Sequence, residues 1–208
     1  MKMCLAICEA FLLLFLFGLT SGCGGGSSMS PSTPMPASVI ATIPVGKSPS
    51  LVDVNPATNR IYVLNSNDQP PTVSVIDGGT NSVVATVPVG SACVFKAPSS
   101  CNPALACIAV NSQANKIYIG VQGSSVTVID GTTNDAITVG VRVGVGQPCW
   151  MAVNTATNQI YVATSGVLTV IDGATNNVVT LTVETEPLDI GVDPVTNVIY
   201  VPGGVDAK

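Results

Sequence analysis

The chain has 208 residues, of which 47% are hydrophobic and only 9% are charged, and it carries a net charge of −5 with no histidine. The absence of histidine excludes His-based metal sites, Ser-His-Asp or Cys-His nucleophile systems and a histidine proton shuttle. Because there is no basic run, we expect no nucleic acid partner. Abundant Val, Ile, Thr and Gly favours strands and turns over helices.

Residues 1–22 have the architecture of a secretory signal, in which Lys2 precedes an apolar run, 11–19, that is shorter than the ~20 residues of a spanning helix. The run ends in LTSGC, which resembles the bacterial lipoprotein signal. That resemblance implies lipidation of Cys23, and Gly24 replaces the Asp that retains such lipoproteins at the inner membrane. We therefore expect an exported protein, lipid-anchored at the outer membrane or cell surface or in the periplasm. A signal cleaved without lipidation and an uncleaved anchor are the alternatives.

Two motifs recur after a short linking segment. Residues 23–38 are rich in Gly, Ser and Pro and are expected to form a flexible tether, whereas residues 39–208 carry the repeats. The first motif reads NPATNRIYV at residues 55–63, and the second reads VSVIDGGTN at residues 73–81. Copies of the first begin at Asn111, Asn154 and Asp193, and copies of the second begin at Val126 and Leu168.

The spacing of the repeats predicts the fold. From Asp130 to Asp172 is a step of 42 residues, and the step of 53 from Asp77 to Asp130 indicates an insertion in that unit. A period of ~40–45 residues with several strands per unit is typical of propeller blades. The first unit has four segments of alternating apolar residues separated by turn residues, at 51–54, 61–64, 72–76 and 83–89. We therefore predict an all-β fold, a β-propeller built of four-stranded antiparallel blades.

Three phrases occur together at fixed spacing, VIATIPVG, NPATNRIYVLN and VSVIDGGTNSVVATVPVG. In this combination the chain resembles the YVTN-type β-propeller repeat family of bacterial and archaeal surface and secreted proteins, from Val39 to Gly203. The resemblance implies a propeller, usually of seven blades, at a secreted or surface location. It implies little about activity, because members serve as binding and adhesion modules and some relatives resemble quinone-dependent dehydrogenases.

The repeats account for about three full blades and a partial one. Residues 39–46 match an outermost strand, and residues 188–192 and 198–201 supply only the first two strands of another blade. We interpret the chain as a partial copy of a larger propeller. Open blade edges of this kind favour self-association.

Both repeated turns are predicted to lie on one face of the disc, called here the turn face. Asn55 and Asp77 are expected to cap their turns, Asn59 to adopt a left-handed conformation and Gly78 to supply a positive φ. Calcium binding is the alternative, but each turn carries one acid and lacks the ligand series of a calcium loop. The connections that vary among the repeats lie on the opposite face, the loop face, where we expect a ligand to bind.

Four cysteines follow Cys23, and an even number suggests disulfides in an exported protein. We favour Cys93 with Cys101, which would staple the insertion, and Cys107 with Cys149, which would link the first strands of adjacent blades. A four-cysteine zinc site is the alternative, but the four lack the C-x-x-C spacing of such sites.

Six residues on or beside the variable connections are candidates for a binding face, because aromatic and charged side chains on loops of one face are typical of a binding patch. They are Lys47, Asp68, Phe95, Lys96, Gln122 and Trp150. For Trp150 core packing is the competing interpretation, because it aligns with residues that begin a strand. Four tyrosines repeat in register and are expected to pack between blades: Tyr62, Tyr118, Tyr161 and Tyr200.

The resulting hypothesis is a non-catalytic binding module for adhesion or scaffolding at the cell envelope. We expect a protein or glycan ligand, no cofactor, no metal, and membrane contact only through a lipid anchor. A propeller oxidoreductase resembling quinone-dependent dehydrogenases, or a hydrolase, is the first alternative, and it would need clustered acids, arginines or histidines around the channel. Asp53 and Asp189 do not align between repeats, and Arg60 and Arg142 are the only arginines. A truncated gene fragment without independent function is the second alternative.

Overall fold

The computed structural model describes residues 2–5, 38–90, 106–120, 125–141, 149–164, 166–183 and 186–204. Every regular element in these ranges is a β-strand, as the abundance of β-branched residues predicts. No helix of the described residues is long and apolar enough to cross a membrane.

Two strands, β1 (Lys2–Leu5) and β2 (Ala41–Pro44), precede three sheets of four antiparallel strands. We call these sheets blades I to III, and in each of them the strands lie side by side in chain order. Blade I contains β3 (Pro49–Asn55), β4 (Arg60–Asn65), β5 (Thr72–Asp77) and β6 (Ser82–Pro88). Blade II contains β7 (Cys107–Asn111), β8 (Lys116–Gly120), β9 (Ser125–Asp130) and β10 (Ala136–Gly140). Blade III contains β11 (Trp150–Asn154), β12 (Gln159–Thr164), β13 (Val167–Asp172) and β14 (Val178–Thr182).

The last strands form two short pairs. β15 (Glu186–Pro187) pairs with β18 (Gly203–Gly204), and β16 (Gly191–Asp193) pairs with β17 (Val198–Tyr200). Gly191 lies opposite Tyr200, as Asp53 lies opposite Tyr62 in blade I. Strands β16 and β17 are therefore the first two strands of a fourth blade, called blade IV.

Strand β2 is the outermost strand of a blade that precedes blade I. Its sequence ATIP matches ATVP at the end of β6, and β1 pairs with it as β5 pairs with β6. Met3 lies opposite Ile43, just as Val73 lies opposite Val87. The described chain thus carries the outer half of one blade, three complete blades and the inner half of another.

Blades stack through a repeated apolar contact. Tyr62 of blade I is fully buried in one cluster with Ile117 and Ile119 of blade II. Tyr118 and Tyr161 repeat this arrangement against the next blade in turn. These three tyrosines therefore pack between blades, as their register predicts, and stacking buries faces that one blade could not bury alone. The prediction is wrong for the fourth, Tyr200 of blade IV, which is 60% exposed because no described blade packs against it.

Candidate binding face

The first motif builds a capped turn in every complete blade. Its first Asn is buried, and its side-chain Oδ1 accepts a hydrogen bond from the backbone N–H two residues further on, so the predicted cap is present. The three bonds are Ala57 N to Asn55 Oδ1 at 3.0 Å, Gln113 N to Asn111 Oδ1 at 3.2 Å and Ala156 N to Asn154 Oδ1 at 3.0 Å. The last Asn of each motif has a positive φ, which is 51° at Asn59, as predicted.

The same asparagines join neighbouring blades. The Nδ2 of the first Asn donates to the Oδ1 of the last Asn of the motif in the next blade. These bonds, which we call the asparagine relay, are Asn55 to Asn115 at 2.8 Å, Asn111 to Asn158 at 2.8 Å and Asn154 to Asn197 at 2.7 Å. Because the Oδ1 of each first Asn accepts a bond within its own turn and the Nδ2 donates to the next blade, the motif both caps the turn and links adjacent blades. The interpretation of the motif as a turn alone missed this second role.

The second motif is also capped as predicted. Asp77 Oδ1 accepts from the backbone N–H of Gly79 and of Thr80, both at 2.9 Å. Hydrogen bonds of this kind, first among them the Thr80 N–H, lower the pKa of the Asp77 carboxyl. The pKa values of Asp130 and Asp172 are lowered by the same type of backbone bond, and that of Asp193 chiefly by the Thr196 hydroxyl.

The glycine of this motif has a different role from the one predicted. The positive φ of 53° belongs to Asn81, and Gly78 is not in the left-handed region, so the prediction for Gly78 is wrong. Gly78 N donates instead to Asn59 O at 2.9 Å, and a Cβ on Gly78 would collide with the Asn59 side chain. Glycine is needed because the two turns of a blade pack directly on each other.

Basic side chains on β4 and β8 also make polar contacts on the turn face. Arg60 Nη1 lies 3.0 Å from Asp77 Oδ2 within blade I. Lys116 Nζ donates to Gly173 O of blade III. Burial, with the Asp172 carboxylate as the second cause, raises the pKa of Tyr118 to about 12.

On the loop face, the structure brings two predicted site residues together. Lys47 N donates to Asp68 Oδ1 at 3.0 Å, and the other carboxylate oxygen accepts from the Thr72 hydroxyl. Behind them, the buried Asn65 Nδ2 donates to Thr72 Oγ1 at 3.0 Å and to Ser74 Oγ at 2.9 Å. Asp68 thus fastens the connection between β2 and β3 to the connection between β4 and β5, while the Lys47 side chain is exposed.

A second set of bonds ties the same two connections. Ser66 N donates to Ser48 O at 3.2 Å, and Asn67 Nδ2 donates to Ser48 Oγ at 3.0 Å. Ser48 itself has a φ of 50°. These bonds join the two connections, residues 45–48 and 66–71, into one unit, which we call the platform. The exposed side chains of Lys47, Asn67 and Gln69 therefore extend from one hydrogen-bonded unit and not from two independent loops.

Two cysteines and the tryptophan lie at the loop-face end of the inner strands. Cys107 and Cys149 form a disulfide with a Cα–Cα distance of 5.5 Å that links β7 to the residue before β11. Gly120 faces both sulfur atoms, and a Cβ there would lie 2.6 Å from Cys107 Sγ. Trp150 is partly buried against blade IV, and its Nε1 donates to Pro187 O at 3.0 Å. Its ring therefore packs between blades.

The remaining site predictions fall on other parts of the chain. Phe95, Lys96, Gln122, Cys93, Cys101 and the lipidation site Cys23 lie outside the described residues. Among the residues described, no group of three or more Cys, Asp or Glu side chains is placed to hold a metal ion.

Asp53, on the innermost strand of blade I, has a structural partner. Its Oδ2 accepts from Val110 N of blade II at 2.8 Å, and its Oδ1 accepts from Val54 N at 2.8 Å. Burial raises the pKa of this carboxyl, and the two backbone bonds partly oppose that shift. Asp189 accepts a bond from Ile190 N in blade IV.

Comparison with known proteins identifies the architecture. No family model matches the chain, and no curated protein matches it. A protein of unknown function from Desulfotomaculum acetoxidans superposes with a TM-score of 0.63 at 15% identity, over 83% of this chain and 54% of that one. The WD40 repeats of RRP9 superpose with a TM-score of 0.54 at 15% identity, over 70% and 43%. The extracellular domain of the one-component system BT4673 of B. thetaiotaomicron gives 0.53 at 16%, over 73% and 19%.

These similarities confirm the predicted all-β propeller fold of four-stranded antiparallel blades. The chain spans about half or less of the length of each of these structures. At such low identity these similarities show the fold and nothing about function, and membership of the YVTN-type family stays a prediction.

Proposed function

We propose that this propeller is a non-catalytic binding module of the cell envelope, tethered through a lipid on Cys23, that holds a protein or glycan ligand on its loop face. The observation that carries the proposal is the contrast between the two faces. On the turn face the repeated Asp and Asn side chains are committed to caps and to the asparagine relay. On the loop face, exposed polar side chains stand on the platform fastened by Asp68.

A rigid base favours binding, because side chains that are already positioned lose less conformational freedom when a ligand is bound. Lys47, Asn67 and Gln69 offer a cation and two amides that can hydrogen-bond to carboxylates, hydroxyls and peptide groups. The leader at residues 1–22 predicts the export that a binding module of the cell envelope requires.

The test compares two double variants that add acidic side chains to opposite faces. Lys47→Glu with Gln69→Glu alters the loop face. Ala57→Glu with Ala174→Glu alters exposed positions of the turn face, where other repeats carry Gln113, Val195 or Thr132. The purified proteins are applied to an array of immobilised glycans and extracellular matrix proteins.

We expect the loop-face variant to lose at least about tenfold in affinity for the bound array component, as the removal of a positioned charged contact does. The turn-face variant should bind as the unaltered protein does. Equal loss in both variants, or no array component bound above a non-propeller control, would refute the proposal.

Lipid tethering has a separate test. Cells that express the chain or its Cys23→Ala variant are labelled with a palmitate analogue. Label on the unaltered chain and none on the variant is the expected result. Equal labelling of the two proteins would eliminate the lipid anchor while leaving the binding proposal open to its own test.

A further inference from the structure

The second turn of every complete blade contains an aspartate followed directly by a glycine. In each pair the aspartate Oδ1 accepts from the two backbone N–H groups that follow the glycine. A Cβ on the glycine would collide with the last Asn of the first motif. The cap and the close packing of the two turns therefore both favour this sequence. The three pairs are Asp77 with Gly78, Asp130 with Gly131 and Asp172 with Gly173.

An aspartate followed by glycine is prone to a spontaneous rearrangement, because glycine has no side chain that hinders the approach of its own nitrogen. The glycine N attacks the aspartate Cγ, the N–H proton and the carboxyl OH leave as one water molecule, and a succinimide ring closes. Water then opens the ring. Attack at Cγ restores aspartate, whereas attack at the main-chain carbonyl gives isoaspartate, in which the backbone runs through Cβ and Cγ. The reaction uses only water and the chain itself.

The folded blade restrains the nitrogen that must attack. In each complete blade the glycine N–H donates to the backbone oxygen of the last Asn of the first motif. These bonds are Gly78 N to Asn59 O at 2.9 Å, Gly131 N to Asn115 O at 2.8 Å and Gly173 N to Asn158 O at 2.8 Å. The nitrogen becomes nucleophilic when it loses its proton, and an N–H bonded between packed turns reaches solvent only when the turns separate.

The carboxyl groups are restrained less equally than the nitrogens. Hydrogen bonds lower the pKa of all three aspartates and so favour the carboxylate, which is attacked less readily than the neutral acid. In blades I and III a threonine hydroxyl adds a further bond, from Thr80 to Asp77 at 3.2 Å and from Thr175 to Asp172 at 3.0 Å. Within the described part of the chain the corresponding Thr133 hydroxyl makes no such bond to Asp130.

Basic side chains also support the first and third pairs. Arg60 Nη1 lies 3.0 Å from Asp77 Oδ2, and Lys116 Nζ donates to Gly173 O. Among the described contacts, Asp130 has no ion pair of this kind. Its carboxylate is therefore the least restrained of the three.

We propose that Asp77, Asp130 and Asp172 are sites of isoaspartate formation, that the pairing of the two turns in each blade suppresses the reaction, and that Asp130 reacts first. Isoaspartate adds one carbon atom to the backbone, so its formation at Asp130 shifts Gly131 N relative to Asn115 O and disrupts the cap. The modification therefore loosens the turn face of blade II, where the asparagine relay links this blade to its neighbours.

The experiment measures isoaspartate at each of the three positions by peptide mapping with electron-transfer fragmentation. The purified full-length protein is incubated at neutral pH in nonionic detergent, either folded or in guanidinium chloride. In denaturant the three positions should react at similar rates. In the folded protein each should react at least about tenfold more slowly, because reaction requires local opening, and Asp130 should exceed Asp77 and Asp172.

Two variants at aligned positions of β4 and β8 test the restraint locally. Lys116→Met removes the bond to Gly173 O and should raise the rate at Asp172 by about threefold while leaving Asp77 unchanged. Arg60→Met removes the ion pair with Asp77 and should raise the rate at Asp77 by about threefold while leaving Asp172 unchanged. Circular dichroism verifies that both variants are folded.

Several outcomes would overturn the proposal. If the folded and denatured proteins react equally fast, the paired turns give no protection. If the denatured protein forms no isoaspartate, the three positions are not reactive. A folded protein in which Asp130 does not exceed the other two refutes the assigned order. Equal effects of Lys116→Met and Arg60→Met at both Asp77 and Asp172 would show that the restraint is not local.

Discussion

The turn face and the loop face of this propeller are stabilised in different ways. On the turn face the same bonds recur in each blade, and the asparagine relay carries them from one blade to the next. On the loop face, the described bonds around Asp68 occur once and involve residues that the other repeats lack. A repeated bond makes every blade junction depend on the same chemistry, whereas a unique bond affects only its own connection. The faces should therefore differ in how they respond to substitution.

The largest effect is expected for Asn111→Ala on the turn face. Asn111 is 1% exposed, its Oδ1 accepts from Gln113 N and Ala114 N, and its Nδ2 donates to Asn158. Truncation leaves three partly buried polar groups without these partners, at a cost of about 1–3 kcal/mol in the free energy of unfolding. Denaturant unfolding followed by circular dichroism measures it.

Asn111→Asp is the control that separates the turn from the relay. It keeps the oxygen that caps the turn, as Asp193 does in blade IV, but it removes the donor to Asn158. The loss should therefore be smaller than for Asn111→Ala and still measurable. If Asn111→Asp is as stable as the unaltered protein, the relay contributes nothing beyond the cap.

Gly131→Ala should produce the next largest effect. A Cβ at this position would lie 2.9 Å from Asn115 O and would also collide with the Asn115 side chain. Overpacking against backbone typically costs about 1–3 kcal/mol, which a thermal melt would detect. A Cβ added at Gly140, at the loop-face end of β10, would meet no other atom within 4 Å, and Gly140→Ala should change stability by less than about 0.5 kcal/mol. Similar melting temperatures for the two variants would show that the paired turns can separate without cost.

A smaller effect is expected for Asp68→Asn on the loop face. In the unaltered protein the Thr72 hydroxyl donates to the Asp68 carboxylate. The substitution keeps an oxygen that can accept from Lys47 N, but it places an amide NH₂ group where the carboxylate accepted from Thr72. The loss of one partly exposed hydrogen bond should cost about 0.5–1.5 kcal/mol. Hydrogen exchange should increase at Lys47 and not at Gly78, whose N–H is held on the turn face. Faster exchange at both amides would mean that the two faces are not independent.

Local chemistry was predictable from the sequence, and contacts between repeats were not. The caps at Asn55 and Asp77 follow from side chains that bond two residues ahead, so the motif alone encodes them. The relay joins residues as far apart as Asn55 and Asn115, and no local pattern shows which asparagines meet. A glycine in this turn predicts a positive φ at Gly78, because the local sequence does not show that the Asn59 side chain lies against it. The sequence predicts that Lys47 and Asp68 lie on the same face, but their mutual bond depends on how two connections pack, which the sequence does not show.

The smallest effect is a dependence of stability on pH that distinguishes the capping aspartates. The pKa of Asp130 is lowered chiefly by the Thr132 N–H bond, from an ordinary value of 3.8. A carboxyl whose pKa is lower in the folded state contributes stability that is fully present above 3.8 and is lost as pH falls through the folded pKa. Asn cannot be deprotonated, so Asp130→Asn removes this contribution while keeping an oxygen for the cap. The variant should melt below the unaltered protein at about pH 6, and the two melting temperatures should converge as the pH falls below the ordinary value of 3.8 and through the lower folded-state pKa. A difference that stays constant across that range would mean that the charge of Asp130 does not stabilise its turn.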